Sequence, residues 1–306
     1  MNSMPSSEDA YIKIPFHRWK DGRLSDESDA LVIEEPIEYR IRGEPLATVM
    51  RTPGDDRDLA IGFLFCEDWI CGSADIGALH VCENRAERSR SSTLESPIEG
   101  SNVVDLIPSA SARIRPIDHV RLQPVTASCG VCGKRTIDEI LQSIPPLTPS
   151  DSDISPANKI AASTVIQLGV QLRDRQTLFT RTGALHAAGI FDMEGNVLDV
   201  KEDIGRHNAV DKTIGHFVRQ GLVCRRRQSD RPPDRLLDRH VLMVSGRVSF
   251  EIVQKALRAG IALIVAVSGV SSLGVELSER AGVTVCGFSR DRSFNIYSHP
   301  DRISDR

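Results

Sequence analysis

Two cysteines, Cys129 and Cys132, stand three apart in "TASCGVCGKRTIDEI" (126–140), each followed by a glycine and together followed by Lys134 and Arg135. Thiols at this spacing serve half of a zinc site, a redox disulfide or a nucleophilic sulfur carrier; the bland alternative is a tight glycine turn around buried cysteines. A structural zinc site needs four ligands, and Cys66, Cys71, Cys82, Cys224 and Cys286 supply no second C-x-x-C, so no metal is expected. A thioredoxin-type disulfide follows the first strand of a β-α-β unit, whereas this pair precedes the regular β-α-β of the chain by more than 100 residues. The local sequence favours reactive thiols. Thr136 and Glu139 have the spacing of a capping box, and a helix start beside Lys134 and Arg135 lowers a thiol pKa and raises the fraction of thiolate, the form that attacks a sulfur donor.

A second polar cluster, Asp203, Arg206, His207, Asn208 and Asp211 in "EDIGRHNAVDK" (202–212), lies where a strand ends and a helix begins. It reads either as a capped, solvated helix start or as an anion site. "SGRVSFE" (245–251) places Ser245, Gly246, Arg247 and Ser249 at a strand-to-helix turn, where backbone amides and a guanidinium suit a phosphate, although it matches neither G-x-G-x-x-G nor a Walker loop. "FTRTGALHAAG" (179–189) supplies Arg181, Thr182, Gly183 and His186. A zinc deaminase needs H-x-E and a later P-C-x-x-C, and both are missing, so His186 by itself reads as a strand histidine. "GFSRDRSFNIYSHP" (287–300) adds Arg290, Arg292 and Asn295 after an apolar run, within reach of an anionic ligand or in a solvated tail.

The elements that must position these groups follow from periodicity. The chain has 306 residues, enough for one large or two modest domains, with 38 basic and 42 acidic residues and no extended basic block, which argues against a nucleic-acid surface. No apolar run reaches membrane-spanning length and no signal-peptide core opens the sequence, so a cytoplasmic protein with reduced thiols is expected, without membrane partners. Residues 1–28 are polar and aperiodic and read as a disordered arm. A small α+β part over 29–125 follows: two strands joined through Arg42, Gly43 and Glu44, then a helix that Asp55 and Asp56 would cap, with Leu59, Phe63, Cys66 and Ile70 on one face. Residues 83–101 and 147–155 read as loops, "NVVDLI" and "HVRLQPVTAS" as strands, and Ser155 and Pro156 as a helix start. In the remaining domain, 126–306, "GALHAAGIFDMEGNVLDV" is a hairpin, His207 to Val218 a helix and "CRRRQSDRPPDRLLDR" a solvated loop. Val241–Val244, Ile261–Val267 and Val283–Val285 alternate with helices ending at Gly260 and Gly282 as a parallel β-α-β-α-β, whose ligand loops lie at the carboxyl ends of the strands.

Taken in order, "MRTPGDDRDLAIGFLFCE", "SCGVCGK", "FTRTGALHAAGIFD", "EDIGRHNAVDKTIG", "SGRVSFEIVQKA" and "GFSRDRSFNIYSHP" resemble the FdhD family of formate dehydrogenase accessory sulfurtransferases from about residue 31 to 303. The resemblance implies a cytidine-deaminase-like three-layer α/β/α domain with a smaller N-terminal α+β part, commonly a homodimer. It implies that sulfane sulfur arrives as a persulfide from a cysteine desulfurase, with Cys129 the carrier and Cys132 its companion. The sulfur then passes to the molybdenum cofactor, bis-molybdopterin guanine dinucleotide, which formate dehydrogenase requires in sulfurated form. Phe288, Ser289, Arg290, Asp291, Arg292 and Ser293 are the stretch expected to touch that nucleotide, and Ser245, Gly246, Arg247, Arg206 and His207 are the basic and amide groups the large anion needs. A chaperone that binds the cofactor without sulfur chemistry is the alternative of a different class.

Overall fold

The structure, a computed structural model, describes residues 10–82, 102–112, 114, 137–144, 146–147, 159–225 and 237–305, without the side chains of Glu139 and Ser143. Residues 10–28 differ from the expected arm. They belong to a hairpin of β1 (Tyr11–Lys20) and β2 (Arg23–Val32), closed by Asp21 and Gly22, both at positive φ. An Asp-Gly turn is a hairpin signal in its own right; because most hairpin side chains stay exposed, no alternating apolar face accompanies it.

The next hairpin matches its reading. β3 (Glu35–Ile41) and β4 (Glu44–Arg51) turn at Arg42 and Gly43, again at positive φ, and join β5 (Ile76–Cys82) and β6 (Asn102–Pro108) in a four-stranded sheet of order β4-β3-β6-β5. Between β4 and β5 runs α1 (Asp56–Cys66). It is buried on every side, so its apolar residues do not form a single stripe, and Asp56 and Asp58 are buried with them. Asp55 holds the N-cap position without a side-chain cap bond, since it accepts from Lys201 Nζ at 2.9 Å, and Asp56 accepts from Arg51 at 2.8 Å.

After α2 (Ile137–Ser143), a two-residue strand β7 (Ile160–Ala161) leads into α3 (Ala162–Asp174) and α4 (Thr177–Thr182). The helix expected to continue from Pro156 therefore begins at Ala162, because Ile160 and Ala161 pair in parallel with β14 (Ile303–Ser304) near the end of the chain. The principal sheet combines β8 (His186–Asp192), β9 (Val197–Asp203), β10 (His240–Val244), β11 (Leu263–Ala266), β12 (Thr284–Arg290) and β13 (Ser293–Ser298) in the order β13-β12-β11-β10-β8-β9. β10, β11 and β12 are parallel, as their β-branched runs foretold, while β8 and β13 run antiparallel to their neighbours and make the sheet mixed. α5 (Arg206–Arg219), α6 (Phe250–Ala259) and α7 (Ser272–Ala281) follow β9, β10 and β11, and α6 and α7 end on Gly260 and Gly282 in the left-handed region.

Alternation along the strands sorts the core into two faces. Val241, Met243, Val265 and Cys286 pack with Val165, Leu168 and Leu172 of α3. Leu242, Val244, Ile264 and Val285 face the larger core of α1, α5, α6 and α7, which continues to Ile37, Tyr39, Val104 and Leu106 of the four-stranded sheet.

Inside that larger core α1 and α5 meet at backbone distance. A Cβ on Gly62 would lie 1.8 Å from the Asp211 carbonyl oxygen, and one on Gly215 would lie 1.9 Å from that of Asp58. An ordinary mid-helix Gly→Ala change stabilises by up to about 1 kcal/mol. Here Gly215→Ala is expected to destabilise by about 2 kcal/mol or more, because the helices must part. Urea denaturation measures the sign, and an unchanged or raised midpoint would show that the two helices are not in contact.

Candidate functional site

Strand directions bring the candidate residues to one edge. β9 to β12 end there at their carboxyl termini, and antiparallel β8 begins there, with His186 opposite Asp203 and Ala188 opposite Val244. Ser245 fastens the corner: its N–H donates to the Ala187 carbonyl at 3.0 Å and its Oγ accepts from the Ala187 N–H at 2.9 Å. The following loops are laced together, Val248 N–H donating to Gly269 and Ser271 N–H to Val248.

At the start of α5 the polar cluster divides by direction. Asp203, fully buried, accepts from the N–H of Thr52 and Gly205, from Asn208 Nδ2 and from Lys212 Nζ at 2.8 Å. Asn208 also donates to the Met50 carbonyl, Lys212 to the Thr52 and Glu202 carbonyls, and Asp211 accepts from buried Lys255 at 2.8 and 2.9 Å. Burial pushes the Asp211 carboxyl up, against the pull of Lys255, while Lys255 is raised in spite of its own desolvation because Asp211 outweighs it. Most of the cluster is thus a sealed network anchoring α5 to the N-terminal sheet, neither a solvated helix start nor a ligand site.

Arg206 and His207 point the other way. A Cβ at Gly246 would be 3.3 Å from both Arg206 Cβ and His186 Nδ1, which places the turn after β10 against the start of α5 and the start of β8. His207 is 5 % exposed; its Nε2 lies 2.7 Å from Glu251 and 3.3 Å from Ser249 Oγ, while among the described residues its Nδ1 and the buried Arg206 Nε have no hydrogen-bond partner. Orphaned buried polar atoms are rare and mark an unmet hydrogen bond. His186, which spacing suggested was a strand histidine, belongs to this group. Desolvation, then the charges of Arg206, His207 and Arg247, hold its pKa below the usual 6.5.

Beside these cations opens a cavity of about 790 Å³ between α3, α4 and the ends of β10 and β12. Ser245, His186, Ser289, Arg290 and Asp291 line it. The stretch 288–293 is split by the strand alternation: Ser289 is buried and donates to the Val165 carbonyl at 3.4 Å, while Phe288, Arg290, Asp291, Arg292 and Ser293 are exposed. Phe288 and Asp291 hold positive φ at a bulge and at the turn into β13, and Arg292 and Ser293 lie beyond the cavity lining. Asn295 bonds Tyr297 on β13, and Arg181 donates to Tyr11 of the first hairpin at 2.7 Å, so neither enters the cavity. Sequence reading missed the cavity walls contributed by α3 and α4, including Arg173, Asp174 and Phe179, because a helix periodicity says nothing of which exposed face borders a cleft. It also assigned "CRRRQ" to a solvated loop, yet Arg225 is buried and donates to the Arg258 and Leu257 carbonyls.

Cys129, Cys132, Lys134, Arg135 and Thr136 lie outside the described residues. Of the other thiols, burial raises Cys286 to about 12 and Cys66 well above its ordinary value, so both stay protonated and poor as nucleophiles. No group of three or more potential metal ligands occurs among the described residues.

Comparison with known proteins decides the family. The FdhD/NarQ family model matches residues 32–304. The chain belongs to the FdhD/NarQ family. Proteins named sulfur carrier protein FdhD are 42% identical over 279 residues in Anaeromyxobacter dehalogenans (90% of this chain and 88% of that one) and 40% identical over 293 residues in Streptomyces coelicolor (94% of each). One from Mycobacterium tuberculosis is 40% identical over 276 residues, 90% of this chain and 92% of that one. The crystal structure of a formate dehydrogenase accessory protein from Desulfotalea psychrophila shares the fold, with a TM-score of 0.68 and 20% identity over 96% of this chain and 100% of that one.

The lowered pKa of His186 gives a test with a definite sign. Its neutral form is favoured in the folded protein, so stability is present above pH 6.5 and declines as pH falls through 6.5 toward the folded value. An NMR titration should find the His186 imidazole titrating below 6.5 and moving upward when phosphate neutralises the neighbouring cations. A titration point at or above 6.5 that phosphate does not move would contradict the cationic cluster.

Proposed function

We propose that the chain is a sulfurtransferase that accepts persulfide sulfur from a cysteine desulfurase on Cys129, with Cys132 as companion, and delivers it to bis-molybdopterin guanine dinucleotide for formate dehydrogenase. In the loading step the Cys129 thiolate attacks the terminal sulfur of the donor persulfide; a new S–S bond forms, the donor S–S bond breaks, and the donor cysteine leaves as its thiolate. Membership of a family whose relatives are named sulfur carriers supports the carrier role, and the inertness of Cys66 and Cys286 narrows the choice of thiol.

The observation that carries the acceptor side is the pair of guanidiniums at one sheet edge, Arg206 and Arg247, beside His186 and His207, the α5 N-terminus and the Ser245–Gly246 turn. Arg206 Nε, a buried donor with no hydrogen-bond partner among the described residues, fits a ligand rich in acceptor oxygens. Arg290 and Asp291 extend that edge along the cavity. The reading includes a cytidine-deaminase-like assignment of the mixed sheet with helices on both faces, a boundary near residue 126 after the small N-terminal part, a homodimer, and a cytoplasmic setting; among the described residues no helix is long and apolar enough to cross a membrane.

Incubation with a cysteine desulfurase and cysteine, followed by intact mass, should show added sulfur that cyanide removes. Cys129→Ala should lose nearly all of it and fail to activate formate dehydrogenase, while still binding the cofactor. If alanine at both cysteines leaves activation intact and Arg206→Gln with Arg247→Gln abolishes it, the protein is a cofactor chaperone and sulfur transfer is refuted.

A further inference from the structure

At the edge where Arg206 stands, one imidazole is bonded on one side and free on the other. His207 Nε2 lies 2.7 Å from the Glu251 carboxylate and 3.3 Å from Ser249 Oγ, and both partners belong to the start of α6, Ser249 as its N-cap residue and Glu251 in its first turn. The His207 hydrogen bond and charge hold the Glu251 carboxyl lower than usual in spite of burial, so it is ionised at neutral pH and only accepts; Nε2 therefore carries a proton and donates it. Nδ1 is buried and has no hydrogen-bond partner among the described residues, a condition it shares with Nε of Arg206, the preceding residue on α5. The turn after β10 and the start of β8 close on the same spot, since a Cβ at Gly246 would lie 3.3 Å from both Arg206 Cβ and His186 Nδ1.

Two protonation states give Nδ1 opposite chemistry. With a proton on Nε2 alone, Nδ1 is an acceptor and repels the oxygens of an anion; with a second proton it is a donor on an imidazolium. Around the two imidazoles, Arg206 on α5 and Arg247 after β10 oppose further positive charge, as does each imidazole toward the other. Asp203 at the end of β9 and Asp211 on α5 favour it, but they are already paired with Lys212 and with Lys255 of α6. Glu251 is in direct contact with His207 and offsets the second proton. An arriving anion tips this balance, because it offsets the guanidiniums and gives Nδ1–H a charge-assisted bond. Glutamine in place of Glu251 still offers Nε2–H a carbonyl oxygen, yet it supplies no negative charge.

We propose that Glu251 is a positioning residue for the acceptor anion: acting through His207, it holds one proton on Nε2 and sustains an imidazolium whose Nδ1–H bonds the anion, so that anion and proton enter together. One proton moves from solvent to Nδ1 on binding and returns when the anion leaves; no other bond changes. This role of Glu251 rests on the acceptor side proposed above and links capture and release there to a proton.

Calorimetric titration of the whole protein with sulfate, repeated in buffers of different ionisation enthalpy, counts the protons taken up per anion. Sulfate is a dianion throughout the neutral range, so each proton counted goes to the protein. At about pH 8 His186, held below the usual 6.5, contributes little to the count. Wild-type protein should take up about half a proton or more per sulfate there, and its affinity should fall about threefold to tenfold from about pH 7 to about pH 9. Glu251→Gln should bring uptake at that pH close to zero and flatten the pH dependence, and Glu251→Asp should restore part of both. Long-range proton–nitrogen NMR should show a His207 Nδ1 proton in wild-type protein with sulfate. Equal proton uptake in wild type and Glu251→Gln, or bound sulfate beside an unprotonated Nδ1, overturns the role of Glu251 and leaves the arginine site standing; the wild-type spectra decide the matter by themselves if the glutamine variant does not fold. Wild-type protein that does not bind sulfate overturns both.

Discussion

The backbone contact between α1 and α5 is the constraint on which the rest depends. Gly62 and Gly215 remove the side chains that would hold the helices apart, and the Asp58 and Asp211 carbonyls occupy that space. With α5 drawn this close, its first two turns come under the end of β4, where Asn208 reaches the Met50 carbonyl and Lys212 that of Thr52. The N-terminal sheet and the mixed sheet thereby share one core and one polar seam.

That seam explains how a helix so rich in charge can be buried. Asp203 pairs with Lys212 and Asp211 with Lys255, and the first pair is further satisfied by backbone groups. Removing one member would strand a charge in the core, a cost of about 3–5 kcal/mol. Arg206 and His207 sit at the first turn of the same helix, where Glu251 on α6 meets His207; its carboxyl, raised by burial, is held lower on balance by the His207 hydrogen bond and charge. The buried carboxylates of Asp203 and Asp211 are each paired with a lysine, and Arg206 stands apart from those pairs at the sheet edge, where the loops after β10 and β11 also open. The same helix therefore serves as structural keystone and as one wall of the site.

Much of this was legible in the residues. β-Branched runs closed by Gly260 and Gly282 foretold the three parallel strands, and "DMEGN" the β8–β9 hairpin, because these signals act within a few residues. The loops "SGRVS" and "SGVSS" were legible at the carboxyl ends of the parallel strands, whereas the arrival of "GRHN" at the same edge depends on the β8 pairings with β9 and β10, which periodicity does not give. Less legible was which polar groups of 203–212 face inward: Asp203 and Arg206 look alike as residues near a helix start, and only the partners supplied by β4 and α6, far away in sequence, tell them apart. The first hairpin escaped notice because its side chains are mostly exposed and carry no alternating apolar face; His186 was read as a strand histidine and opens β8, but its cationic neighbours, Arg206 and Arg247, lie 20 and 61 positions later and no local signal shows them.

The central claim is that Arg206 and Arg247, at the α5 and β10 edge, hold a polyanion by contacts distinct from the buried network beneath. Its most direct test is the affinity for inorganic pyrophosphate as a function of salt, compared between wild-type protein and Arg206→Gln combined with Arg247→Gln. The account predicts tight, salt-sensitive binding by the wild type, and in the variant both weaker binding and a shallower salt slope at unchanged thermal stability. Equal affinity and slope in the two proteins would contradict it.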